Sequence, residues 1–250
     1  MTAPHKTVLF VSDVHTPYED QHACQLIRKA AAEIKPDTII FGGDIIDFES
    51  VSRWLKLKPI RDDQAIDDIG YARRWLEEWR DCHPKAHMYF IEGNHEFRFI
   101  KYFREHAPQL AGLIRPLREA LGIGRMRISY RENQGTLKIG RLWYAHGDNW
   151  PMGYGAVNPA KCVFDRTRES IVFGHVHRFS MYRHRAMSGK EVGAWSNGCL
   201  AGDLDYMPHN NWNRGALTIN YSRSGYFRVS PLEVIAGRLM YPTAWREAQI

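Results

Sequence analysis

Five short polar motifs in this chain carry residue types that bind metal ions. Carboxylate, amide and imidazole groups offer the oxygen and nitrogen ligands that suit manganese, iron or zinc, and no thiolate accompanies them. The residue types therefore indicate a site for divalent metal ions. In chain order the motifs are Asp13-x-His15, Gly43-Asp44-x-x-Asp47, Gly93-Asn94-His95-Glu96, His146-Gly147 and Gly174-His175-x-His177.

Each motif directly follows a short apolar run that has the length and the β-branched or aromatic content of a buried strand. Because the carboxyl ends of strands in a largely parallel sheet meet at one edge, we expect the five motifs to converge there. The glycines before Asp44, Asn94 and His175 are predicted to permit the turn that lifts each residue off its strand. The runs are TVLFVS, DTIIFGG, HMYFIEG, RLWYA and SIVFG.

The rest of the pattern is α/β in the first half of the chain and mostly β in the second half. Apolar residues at helical spacing predict helices over residues 19–34, around residues 66–79, and over residues 97–105 and 109–121. From about Arg127 onward strand patterns dominate. The stretch from Asn197 to Gly215, rich in Gly, Asn and Pro, is predicted to be a long surface loop.

Taken together and in this order, the five motifs resemble the signature of the calcineurin-like metallophosphoesterases. The resemblance runs from Asp13 to His177. It implies an α/β fold, an αββα sandwich of two mixed β-sheets flanked by helices, with the active site at the strand ends. We expect a single metallophosphoesterase domain over residues 1–250, with a basic helical insertion around residues 97–131 and a β-rich C-terminal part over residues 178–250.

The resemblance also implies which side chains hold two divalent metal ions. Manganese is the expected metal, and iron and zinc are compatible with the same ligands. Two such ions lower the pKa of a shared water and neutralise phosphoryl oxygens, so a bridging hydroxide attacks phosphorus. One ion is expected to bind Asp13, His15, Asp44 and His177, and the other to bind Asp44, Asn94, His146 and His175, with Asp44 as the bridge.

His95 matches the family histidine that is not a metal ligand and that meets the leaving-group oxygen. Its expected role is general acid or stabiliser of the transition state, and Asp47 is the expected partner that orients it. Glu96 also matches the motif, but a helix N-terminal acid favoured by the helix dipole is at least as good an interpretation.

The sequence departs from the serine/threonine protein phosphatases of this family after Asp47. Those enzymes continue with Arg-Gly, and the arginine grips a phosphomonoester, whereas Phe48 and Glu49 follow here. The difference favours phosphodiesterases, nucleases and nucleotide hydrolases. Arg98 and Lys101 follow shortly after the Gly93-Asn94-His95-Glu96 motif. They are candidates for a substitute cation that binds the substrate.

Basic residues are concentrated in one segment. The net charge is +6, and residues 97–131 alone contain eight basic and two acidic residues. Such a segment, which also contains aromatic residues, can contact nucleic-acid phosphates and stack on bases, so DNA or RNA is a candidate partner. The alternatives are a solvated helical face and, for the aromatic residues, the buried face of the helix after His95. The aromatic residues are Phe97, Phe99, Tyr102, Phe103 and Tyr130.

The leading hypothesis is a phosphodiesterase or nuclease that acts on nucleic acid or nucleotides. The alternatives are a phosphomonoesterase for proteins or small molecules and a non-catalytic scaffold, although scaffold members usually lack metal ligands and none is missing here. The four cysteines are at least 36 residues apart, and neither a signal peptide nor a membrane-spanning run is present. We therefore expect a cytoplasmic protein that does not bind membranes.

Overall fold

Two mixed β-sheets and five helices form the part of the chain that the computed structural model describes. This part comprises residues 6–52, 59, 63–109, 112, 116–132, 135–150, 152, 156–204, 207 and 209–241. Its strands are β1 (Lys6–Val11), β2 (Thr38–Phe41), β3 (His87–Ile91), β4 (Ile128–Arg131), β5 (Leu137–Ile139), β6 (Leu142–Ala145), β7 (Ile171–Phe173), β8 (Ser180–Arg185), β9 (Glu191–Ser196), β10 (Arg214–Tyr221), β11 (Phe227–Ile235) and β12 (Arg238–Met240). Its helices are α1 (Gln21–Ile34), α2 (Gln64–Cys82), α3 (Asn94–His106), α4 (Leu117–Ala120) and α5 (Pro159–Thr167). Over these residues no helix is long and apolar enough to cross a membrane.

The seven-stranded sheet has the order β12-β11-β10-β1-β2-β3-β4. Strands β1 to β4 run parallel, whereas β10 is antiparallel to β1 and to β11, and β12 is antiparallel to β11. The five-stranded sheet has the order β5-β6-β7-β9-β8. Its strands β6, β7 and β9 are parallel, and the edge strands β5 and β8 are antiparallel to their neighbours. Both sheets are therefore mixed, as expected.

Three apolar layers hold the sheets and helices together. Trp79 of α2 packs against Phe41 on the outer face of the seven-stranded sheet. Phe10 and Tyr144 meet between the two sheets. Phe164 of α5 belongs to the cluster on the outer face of the five-stranded sheet. This order of layers confirms the expected αββα sandwich.

The helices differ from the prediction in two places. The predicted helix over residues 109–121 is described only as the short α4, and residues 110, 111 and 113–115 lie outside the described residues. Helix α5 interrupts the half of the chain that the pattern predicted to be mostly β. Its start is marked by Asn158, whose side chain accepts a hydrogen bond from the N–H of Lys161 (3.0 Å), and by Pro159 at the first turn. The basic segment ends in β4, which pairs with β3.

The prediction of a surface loop over residues 197–215 is wrong for its first part. Cys199, Leu200 and Ala201 are fully buried. The backbone N–H groups of Leu200 and Ala201 donate to the carbonyl of Asp13 at 2.9 and 3.0 Å. Polar loop composition misled the prediction because these backbone groups find partners inside the protein and not in water.

The loops that follow β1, β2, β6 and β7 are joined to one another by backbone hydrogen bonds. The N–H of Asp13 donates to the carbonyl of Gly43 (3.0 Å), and the N–H of Gly174 donates to that of His146 (2.7 Å). The N–H of His175 in turn donates to the carboxylate of Asp13, at 2.9 Å to Oδ1. The motif loops of the two sheets therefore lie side by side at one edge of the sandwich.

Candidate metal centre

The structure brings the seven predicted metal ligands into one cluster at this edge. Asp13, His15, Asp44, His146 and His177 are buried, whereas Asn94 and His175 are partly exposed. The cluster contains three overlapping groups whose potential ligand atoms all lie within 4.8 Å of one another. These groups are Asp13 with His15 and His177, His15 with Asp44 and His95, and Asp44 with His146 and His175.

In the first group, two imidazole nitrogens face each other. His15 Nε2 lies 3.2 Å from His177 Nε2, and His177 Nε2 lies 3.2 Å from Asp13 Oδ1. The other nitrogen of His15, Nδ1, donates to Asp47 Oδ2 at 2.8 Å. In the neutral tautomer that this bond favours, His15 Nε2 carries a lone pair on the side of His177 and Asp13.

Around His146, three potential ligand atoms converge. His146 Nδ1 donates to the backbone carbonyl of Gly42 at 2.9 Å. Its Nε2 lies 3.1 Å from Asp44 Oδ2 and 3.0 Å from Asn94 Oδ1. Burial by itself lowers the pKa of His146, but the carboxylate of Asp44 outweighs it and raises the pKa well above its usual value. The three atoms therefore favour a positive charge among them, which either a proton on Nε2 or a metal ion supplies. These residues therefore fit a metal ion.

Asp44 lies between the imidazole of His146 on one side and those of His15 and His95 on the other. Its Oδ2 is 3.1 Å from His146 Nε2, 3.8 Å from His95 Nε2 and 4.0 Å from His15 Nε2. Its Oδ1 accepts a hydrogen bond from the backbone N–H of His95 (2.8 Å). One carboxylate thus faces both sets of imidazoles, which is the position that a bridging ligand requires.

The carboxylates and imidazoles of the cluster shift one another's pKa values. Burial by itself raises the pKa of Asp44, but the imidazoles of His146 and His95 outweigh it and hold the pKa well below its usual value. Burial lowers the pKa of His95 and His175 to about 4. His95 and His175 are therefore neutral at neutral pH and offer lone pairs beside a charged carboxylate, whereas His146, whose pKa Asp44 raises, must lose its proton when a divalent cation binds.

Five of the seven residues adopt the left-handed backbone conformation, which is uncommon for residues other than glycine. Each such residue costs roughly 1 kcal/mol, so surrounding contacts must hold the loops in place. The φ angles are 58° for Asp13, 56° for His15, 52° for Asp44, 68° for His175 and 57° for His177.

The glycines of the motifs have two different roles. Gly43 has a φ of 91°, so it supplies the predicted turn. Gly174 has no positive φ. A Cβ at Gly174 would lie 2.5 Å from Ser12 Oγ and 2.6 Å from Asp13 Oδ2, so this glycine is needed because the loop passes so close to Asp13.

Glu96 anchors the loop that carries Asp44. Its buried carboxylate accepts hydrogen bonds from the backbone N–H groups of Asp44 (2.9 Å) and Ile45 (2.7 Å). It also accepts from those of Ile46 (3.1 Å) and Gly93 (2.8 Å). Burial and the nearby Asp44 raise the pKa of Glu96 to about 7, whereas the bonds from Ile46 and Gly93 lower it. Glu96 therefore holds the loop of Asp44 in place, in addition to its position as an acid at the start of α3.

Ser12 and Asn197 hold Asp13, although neither residue belongs to one of the five motifs. Asn197 Nδ2 donates to Ser12 Oγ (3.0 Å), which donates to Asp13 Oδ2 (2.5 Å). All three residues are buried. This chain of bonds fixes the carboxylate of Asp13 from behind.

His95 contacts Asp47 through the backbone. Its Nδ1 donates to the carbonyl oxygen of Asp47 at 2.7 Å. The Asp47 carboxylate oxygen Oδ2 lies farther from this nitrogen, at 3.6 Å, and accepts a hydrogen bond from His15. The Nε2 of His95 faces Arg98, whose Nη2 donates to it at 2.9 Å. Arg98 Nη1 also donates to the carbonyl of Asp47 (3.3 Å). The structure therefore brings Arg98 into the site.

Other candidates lie away from this cluster. Lys101 is exposed on α3 and forms an ion pair with Glu105 (3.6 Å). Phe48 is fully buried and stacks on Phe99, with ring centroids 5.0 Å apart. Tyr130 stacks on Phe90 of β3 at 5.1 Å. Packing thus accounts for Phe99 and Tyr130.

Comparisons with known proteins identify a family. The family model of the calcineurin-like phosphoesterases matches residues 6–179. Gene 54 protein of Mycobacterium phage L5 is 24% identical over 231 residues, which cover 88% of this chain and 87% of that protein.

Solved structures with similar folds include two of low sequence identity. YfcE, a phosphoesterase from E. coli, is 11% identical with a TM-score of 0.44, over 90% of this chain and 98% of that one. Vacuolar protein sorting 29 from Cryptosporidium parvum is 15% identical with a TM-score of 0.46, over 92% of this chain and 97% of that one. Because the family model spans well over half of the chain, this protein belongs to the calcineurin-like phosphoesterase family and is a metallophosphoesterase, a hydrolase of phosphoester bonds.

Proposed function

We propose that this metallophosphoesterase is a dinuclear phosphodiesterase that acts on nucleic acid or nucleotides. Asp13, His15 and His177 hold one divalent ion, and Asn94, His146 and His175 hold the other, with Asp44 shared between them. Manganese is the first choice because oxygen and imidazole ligands without a thiolate suit it. When bound, the two ions supply an activated water and positive charge for the phosphoryl oxygens.

The residues of the chain then orient the substrate and assist the leaving group. His15 is held by Asp47, and Asp13 is held by Ser12, so neither ligand needs to reorganise. His95 is fixed through Nδ1, and its Nε2 accepts the hydrogen bond from Arg98, so we assign His95 the role of stabilising the transition state where the leaving-group oxygen lies. Arg98, hydrogen-bonded to this Nε2, supplies a positive charge at the same place.

The observation that supports a diester is the position of Phe48. In the protein phosphatases that the sequence resembles, an arginine at this position grips the monoester. Here the side chain is buried against Phe99 and supplies no cation. A phosphodiester carries one negative charge, whereas a monoester carries close to two at neutral pH, so a site without that arginine favours the diester.

The experiment that tests this proposal compares two small substrates. Hydrolysis of bis-p-nitrophenyl phosphate and of p-nitrophenyl phosphate is measured with Mn2+, each with a chelator control. We expect the diester to have the higher kcat/KM and both activities to need the metal. Turnover of the monoester alone would instead indicate a phosphatase. A higher kcat/KM for the diester makes DNA, RNA and nucleotide diesters the next substrates to test.

A further inference from the structure

Trp212 lies at the rim of the metal centre. Its ring contacts that of His177, with centroids 4.3 Å apart and an interplanar angle of 62°. The ring of His177 is 5.0 Å from that of His15, which is 4.5 Å from that of His95. Trp212 and Arg98 therefore lie at the two ends of one chain of contacts that crosses the site.

Core packing does not account for Trp212. This tryptophan is only partly buried, and it belongs to none of the three apolar clusters formed by the described residues. Trp195, by contrast, packs against the cluster between the two sheets. A large aromatic ring that is left partly exposed beside a polar site is typical of a surface that binds ligand.

The backbone around Trp212 is fixed to the loop of His177. The N–H of Asn213 donates to the carbonyl of His177 (2.8 Å), and the side-chain oxygen of Asn213 accepts from the N–H of Phe179 (3.0 Å). On the other side, the N–H of Trp212 donates to Asn210 Oδ1 (3.3 Å). The backbone that carries the ring is therefore fixed before any ligand binds, and the ring itself rests on His177, which reduces the entropy lost on binding.

Arg214, a cation beside this ring, is itself restrained. The guanidinium carbon of Arg214 lies 5.8 Å from the centroid of Trp212. Arg214 forms an ion pair with Asp20 (3.5 Å) and donates to Cys199 Sγ (3.3 Å). Arg214 is thus held beside the aromatic ring by Asp20 and Cys199.

We propose that Trp212 forms a stacking subsite for a planar nucleobase of the substrate, next to the metal centre on the His177 side. This inference rests on the proposed phosphodiesterase function and names the group that the diester carries. Every base has a flat π-surface, so a tryptophan platform accepts bases with little sequence preference. The enzyme then selects nucleotide diesters over alkyl diesters of equal charge.

The test compares two diesters that share the p-nitrophenolate leaving group and differ in the other substituent. These are the p-nitrophenyl ester of thymidine 5′-monophosphate and methyl p-nitrophenyl phosphate, each with the full chain and Mn2+. Trp212→Leu keeps an apolar cover on His177 but removes the ring. We expect it to raise KM for the thymidine ester about tenfold and to leave the methyl diester within about twofold. Trp212→Phe should recover most of the loss.

Binding of thymidine 5′-monophosphate, measured by titration calorimetry, gives a readout apart from turnover. Trp212→Leu should weaken this binding about tenfold, and Tyr226→Leu, at an aromatic residue that is 64% exposed, should not change it. Equal losses for both diesters, or a lower manganese content, would show that Trp212 serves only to position His177. Unchanged binding in Trp212→Leu would also overturn the subsite. If the wild type hydrolyses neither diester, the proposed function fails, and calorimetry still decides on the subsite.

Discussion

At the scale of single residues, the contact between Arg98 and His95 has the most direct consequence for catalysis. The guanidinium donates to His95 Nε2, where we place the leaving-group oxygen. Removing a charged hydrogen-bond donor from an anionic group costs about 1.5–3 kcal/mol, so Arg98→Ala should lower kcat/KM for bis-p-nitrophenyl phosphate by about tenfold to a hundredfold. Arg104→Ala is the matched control because Arg104 is exposed on the same helix. Equal kcat/KM in the two variants would remove Arg98 from the site.

Glu96 carries a prediction about stability. Glu96→Ala leaves four buried backbone N–H groups without their acceptor. We expect it to lower the free energy of unfolding by about 3 kcal/mol in urea titrations of the metal-free protein. Glu105→Ala, at an exposed residue on the same helix, should stay within about 0.5 kcal/mol. A similar small effect for Glu96→Ala would mean that the loop of Asp44 does not depend on it.

The motifs predicted the residues of the cluster well because each one directly follows a strand. They could not predict the contacts behind the cluster. Asn197 reaches Ser12 across 185 positions of sequence, and only the packing of the two sheets brings them together. The choice between Arg98 and Lys101 also depended on the structure, although the spacing of three residues from His95 to Arg98 is a helical signal.

At the scale of elements, two side-chain hydrogen bonds among the described residues link the two sheets inside the apolar layer. The hydroxyls of Tyr144 on β6 and Tyr221 on β10 are 2.7 Å apart, and that of Tyr221 donates to the carbonyl of Ile139 (3.1 Å). Tyr144→Phe should therefore cost about 1 kcal/mol of unfolding free energy and leave kcat unchanged. Tyr226→Phe, at an exposed hydroxyl, is the control. A cost equal to that of the control would show that this bond contributes nothing to the sheet packing.

His83, which ends α2, makes stability depend on pH. Burial and the charge of Arg80 lower its pKa below the usual 6.5. Below about pH 6.5 the unfolded chain binds a proton at His83 and the folded chain does not, so stability falls as pH falls. We expect wild type to lose more unfolding free energy than His83→Gln between about pH 7.5 and 5.5, measured by urea titration. Parallel pH profiles for the two proteins would contradict this.

The sequence predicted helices and strands correctly where the spacing of apolar residues was regular. The strands before the motifs and helices α1 and α2 follow the sequence pattern. Helix α5 was missed because its nine residues, which begin at Pro159, lie between strand-rich segments. The capping residue Asn158 and Pro159 are signals of a helix start, but the strand patterns on either side are longer and dominated the prediction.

At the scale of the whole molecule, the fold brings together ligands from both halves of the chain. Asp13 and Asp44 follow strands of the seven-stranded sheet, whereas His146 and His175 follow strands of the five-stranded sheet. Metal ions bound between them would link the two sheets. The resemblance to a family predicted this architecture, whereas the apolar pattern predicted only an α/β first half and a mostly β second half.

The measurement that tests this account most directly is the manganese content of the purified chain. The metal-free protein is saturated with Mn2+, dialysed and analysed for metal per chain, beside Asp44→Asn. We predict two ions per chain for wild type and at most one for Asp44→Asn, because the variant loses the shared carboxylate. One ion or fewer in wild type, or two retained in Asp44→Asn, would contradict a dinuclear centre bridged by Asp44.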